Sequence, residues 1–133
     1  MKKENLYCTF IEVQENKILL SGLASLPTSF SFNVGWKDVD AEIALGMKIT
    51  IQEAHKIRIG KVKLKNAAKQ HLFEEILCYR CADLFGLIKK YLDKRKYKPS
   101  VTILFGVPYQ TKAIIEVARK TFKIPVYISP VEH

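Results

Sequence analysis

The chain has 133 residues, the size of one ordinary domain, and two independently folding halves would each be marginal. With 48% hydrophobic and 26% charged residues it has the means to bury a core, which excludes the disordered class. Lysine and arginine outnumber aspartate and glutamate 22 to 13, a net charge of +9 that solubility alone does not require.

No apolar stretch approaches the ~20 residues of a membrane-spanning helix. No apolar signal region follows Met1-Lys2-Lys3-Glu4-Asn5, so the expected setting is cytoplasmic.

The first half, through Lys65, is expected to be mostly β. Leu6 to Val13 is apolar on both alternating faces, as an interior strand should be. Gln14-Glu15-Asn16 turns the chain into a returning strand over Lys17 to Ala24, and Ser29 to Val34 alternates as a half-buried strand. Asp38 to Leu45 reads as a short helix that opens on acids, with Gly46 as its left-handed stop.

Lys48 to Gln52 and Lys56 to Lys65 then alternate as two further strands. A one-residue bulge at Gly60 would gather Lys56, Arg58, Lys61, Lys63 and Lys65 on one face, leaving Ile57, Ile59, Val62 and Leu64 on the other.

From Asn66, an expected N-cap, apolar residues recur at helical spacing from Phe73 to Tyr91, and Gly86 weakens the middle of this long helix. Val101 to Phe105, a helix over Thr111 to Phe122, and Val126 to Ile128 then form a parallel βαβ unit. The expected fold is a single α/β or α+β domain with hairpin strands, then αβαβ, on a mixed sheet.

This order, ending in Lys123-Ile124-Pro125-Val126-Tyr127-Ile128-Ser129-Pro130, resembles the ribonuclease-H-like folds such as the resolvase group, mainly over Asn66 to Pro130. Those enzymes carry one acid on the first strand and another at the end of the strand before the last helix. The matching regions here are Tyr7-Cys8-Thr9-Phe10 and Phe105-Gly106, so the resemblance implies a fold without that active site.

The cationic row at Lys56, Arg58, Lys61, Lys63 and Lys65 would repeat every ~6.6 Å, close to the phosphate spacing of a nucleic-acid strand. A second cluster holds Lys94, Arg95 and Lys96, with Tyr91 and Tyr97 interleaved to stack bases. These residues make a non-catalytic nucleic-acid or polyanion binder the leading expectation.

Two alternatives stand beside it: a regulatory module that binds an acidic protein partner, and a small-ligand or nucleotide site at Tyr109, Gln110, Thr111 and Lys112, where a strand ends and a helix starts. Cys78-x-x-Cys81 lies mid-helix and lacks further ligands at zinc spacing, so buried thiols are expected. No catalytic constellation, metal set or cofactor motif is legible.

Overall fold

The computed structural model describes residues 8–22, 30–105 and 111–129. The order is β1 (Cys8–Val13), β2 (Ile18–Gly22), β3 (Phe30–Phe32), α1 (Trp36–Met47), α2 (Ile51–Arg58), α3 (Ala67–Lys94), β4 (Val101–Phe105), α4 (Thr111–Phe122) and β5 (Val126–Ile128). The strands form one mixed sheet in the order β3-β2-β1-β4-β5. β1 pairs antiparallel with β2 and parallel with β4, and β4 pairs parallel with β5. The expected α/β class, the hairpin and the C-terminal βαβ unit are all present.

One face of the sheet carries Ile11, Val13, Ile18, Leu20, Leu104 and Val126, all buried within the core cluster. α3 closes over it with Phe73, Leu77, Cys81, Leu84, Phe85, Ile88 and Leu92, and α4 adds Ile114, Ala118 and Phe122 at four-residue spacing. The Phe85 and Phe122 rings, 5.8 Å apart, join the two helices. Asn66 caps α3, its Oδ1 accepting from the Ala68 and Lys69 amides.

α1 is mounted directly on the hairpin turn. Its first amides, from Trp36 and Lys37, donate to the Gln14 and Glu15 carbonyls at 2.9 Å. A side chain at Gly35 would collide with those same two carbonyls, with a Cβ only 2.7 Å from the Glu15 oxygen, so the close approach itself requires glycine.

Gly46 is not the helix stop. α1 runs through Met47 and ends on Lys48, which adopts the left-handed conformation at φ 58°. Gly46 instead lets α1 approach α3, since a Cβ there would lie 2.6 Å from Ile76 Cδ1.

The two strands expected over Lys48 to Lys65 are absent. Residues 51–58 form α2 because Thr50 and Glu53 make a capping box: each side chain accepts the other's backbone amide at 3.1 Å. The helix buries Ala54, Ile57 and Arg58, a helical spacing that the charge alternation conceals. Gly60, at φ 84°, is no bulge but the left-handed residue of a Schellman ending. There the Lys61 amide donates to the Lys56 carbonyl at 2.9 Å and the Gly60 amide to the Ile57 carbonyl at 3.1 Å.

Candidate functional site

Placing 51–58 on a helix scatters the expected cationic row. Lys56, Lys61, Lys63 and Lys65 are exposed, whereas Arg58 is buried at 2% exposure. Arg58 Nε donates to Asp40 Oδ1 at 2.6 Å, and its Nη2 donates to Asp40 Oδ2 and Glu15 Oε1, each at 3.0 Å. Its guanidinium also lies over the Trp36 ring, 5.0 Å from the centroid. Arg58 thus ties α2 to α1 and to the hairpin turn.

His55 completes the cluster. Its Nδ1 lies 3.2 Å from Asp40 Oδ2 and 3.1 Å from Arg58 Nη2, and it serves one or the other according to which ring nitrogen holds the proton. Glu15, Asp40 and His55 bring ligand atoms within 4.8 Å of one another, the geometry of a metal triad. They do not fit a metal, because Arg58 Nη2 stands at 3.0–3.1 Å from all three and already supplies the positive centre. Sequence reading missed this cluster, since nothing local marks Asp40 and Glu15 as partners of Arg58.

The second basic cluster is also committed to structure. Tyr91 stacks on Phe30 at 4.2 Å, Arg95 covers the Tyr91 ring at 4.9 Å, and buried Tyr97 donates to the Cys8 carbonyl at 3.4 Å. Neither tyrosine presents a free face to a base. Lys94, Arg95 and Lys96 are exposed at the end of α3, where Lys96 adopts a left-handed φ of 56° in a Schellman ending.

At the loop site, Tyr109 and Gln110 lie outside the described residues, Thr111 opens α4, and Lys112 is exposed in its first turn. Burial pushes the Cys81 thiol up to about 12, and burial with Glu74 and Glu116 nearby raises that of Cys78, so neither is a ready thiolate. Among the described residues no helix is long and apolar enough to cross a membrane.

A different surface forms a concavity with both apolar and charged lining. The end of α1, α2, the segment after it and the start of α3 enclose a groove of about 590 Å³. Met47, Ile49, Ile57, Val62, Leu64 and Leu72 supply its apolar lining, and Lys48, Lys56 and Lys69 its cations. Glu53 is the acid among its lining residues. Its carboxyl is held below the ordinary value, first by the hydrogen bond from the Thr50 backbone.

No protein-family model matches this chain, and no curated protein matches its sequence. Its fold does match solved structures. One is the ethanolamine utilization protein EutJ from Carboxydothermus hydrogenoformans, with TM-score 0.67 and 11% identity, covering 92% of this chain and 43% of that one. Another is a PilM-PilN type IV pilus biogenesis complex, with TM-score 0.65 and 11% identity, covering 93% of this chain and 35% of that one. A third is the activator of 2-hydroxyisocaproyl-CoA dehydratase from Clostridium difficile with bound ADPNP, with TM-score 0.56 and 10% identity, covering 92% and 54%.

At such identities the likeness shows the fold alone, and this chain spans about half or less of each neighbour's length. The neighbours are a protein complex, a nucleotide-bound activator and a utilization protein, none of them described as a nucleic-acid binder. Together with the burial of Arg58 this overturns the nucleic-acid expectation.

Proposed function

We propose that this chain is a protein-interaction module that takes an acidic segment of a partner protein into the lysine-rimmed groove between α1, α2 and α3. The carrying observation is the groove's chemistry, an apolar floor of Ile49, Ile57 and Leu64 with cations at Lys48, Lys56 and Lys69. A segment that seats two or three large apolar side chains and flanks them with carboxylates matches it in both polarity and size. The PilM-PilN neighbour, a complex between proteins, supports the reading. A cytoplasmic setting fits the free thiols of Cys8, Cys78 and Cys81.

The test is titration of the full chain with a synthetic helical peptide of leucines and glutamates, followed by calorimetry. Binding should weaken at least tenfold in the Lys56→Glu/Lys69→Glu variant and fall with added salt, with melting temperature unchanged. Equal binding by that variant refutes the reading.

A second reading, a nucleotide site at the head of α4, draws on the ADPNP of the third neighbour. It predicts a rise in melting temperature with ADP or an ATP analogue, diminished by Lys112→Ala. No rise at millimolar nucleotide removes it.

A further inference from the structure

Among the described residues, no helix of the core cluster packs against the outer face of the sheet. Strand register places its side chains in rows: Leu19, Glu12 and Phe105 in one, then Ser21, Phe10, Ile103 and Tyr127, then Cys8 and Val101. None of these belongs to the core cluster, nor to the apolar side chains packed against it. Phe10 and Phe105 touch each other, with ring centroids 6.0 Å apart. Tyr127 is 59% exposed, and Glu12 is exposed at the centre of the first row.

We infer that this face docks one amphipathic helix of a partner polypeptide, carrying a lysine or arginine opposite Glu12. The inference is independent of the groove. The apolar strip runs from β2 across β1 and β4 to β5, about 14 Å at the usual strand spacing, which leaves room for one helix of about 10–12 Å diameter and not for two. Ser21 and exposed Ser31 bound it on the β3 side.

Glu12 decides the occupant. Two copies of this chain set face to face would bring like carboxylates into an apolar interface, which is costly, whereas a helix with a cation at that point pairs the charge. In all three solved neighbours the fold is accompanied by further polypeptide.

Two helical peptides of about 18 residues, identical in their leucine stripe and differing only in a central lysine or glutamate, test this against isotope-labelled full chain by NMR. The lysine peptide should shift the amides of Phe10, Glu12, Ile103 and Phe105 with at least tenfold higher affinity than the glutamate peptide. The net charge of +9 pulls in the opposite sense, so such a preference reports Glu12 locally. Glu12→Gln should remove the preference, and Glu12→Lys should reverse it.

Equal affinities at those amides overturn the proposal, as do shifts confined to the groove, or self-association of the chain through this face in sedimentation. Lys56→Glu/Lys69→Glu should not weaken the lysine peptide's binding, which separates this result from failure of the groove.

Discussion

Lys56 and Arg58 sit two residues apart on one helix, carry the same charge, and end in opposite surroundings. Arg58 is sealed between α1 and the hairpin turn on two carboxylates, while Lys56 stands on the rim of an open groove. A cation's position on the helical cycle, rather than its density in the sequence, decides whether it becomes part of the framework or stays available to a ligand.

The sharpest way to break that contrast is to remove one partner of the sealed pair. Arg58→Met or Asp40→Asn should cost up to about 3–5 kcal/mol in urea unfolding, because the charge left behind stays buried with one partner in place of two, His55 for Asp40 and Glu15 for Arg58. Lys56→Met, by the same measurement, should stay within about 0.5 kcal/mol. Comparable losses at the two positions would erase the distinction.

A smaller effect is expected at the other buried polar groups. Thr9 and Thr102 are register partners on the central strands, fully buried, and neither hydroxyl has a hydrogen-bond partner. Unlike Arg58 they have nothing to lose, so Thr102→Val should raise stability by about 1 kcal/mol.

Smaller still are two backbone changes on α3. Gly86 has open space where a Cβ would stand, and Lys96 holds a left-handed conformation that favours glycine, so Gly86→Ala and Lys96→Gly should each add about 0.5–1 kcal/mol.

Burial makes Cys81 hold its proton to higher pH than an accessible thiol does. Its folded value of about 12 exceeds the ordinary 9.0, so the unfolded chain releases its proton first and stability should fall as pH rises from 9 towards 12. Alkylation at pH 8 should therefore be slow until the chain unfolds.

The elements with long, regular periodicity were legible in the sequence: the hairpin, α3 with its Asn66 cap, and the closing βαβ unit. α2 was not, because eight residues with alternating charge satisfy a strand pattern as well as a helical one. The available signal was Thr50-x-x-Glu53, whose reciprocal capping favours a helix start over a strand.

The Arg58 cluster was beyond reach for another reason. Its partners lie 18 and 43 residues away, and only the docking of α1 on the turn brings them together. The ending of α1 at Lys48 was equally hidden, since that residue adopts positive φ without being glycine, whereas the end of α4 at Phe122 was read where it stands. The groove follows from α2, so misreading one short helix concealed the surface on which the proposed function rests.

The pairing of β1 with β4 has a consequence for how the protein is made. Cys8 and its neighbours meet Val101 to Phe105 edge to edge at the middle of the sheet, so the polypeptide through Phe105 must leave the ribosome before that seam can close. Until then the nascent hairpin carries an unzipped inner edge, the kind of unpaired strand on which aggregation starts.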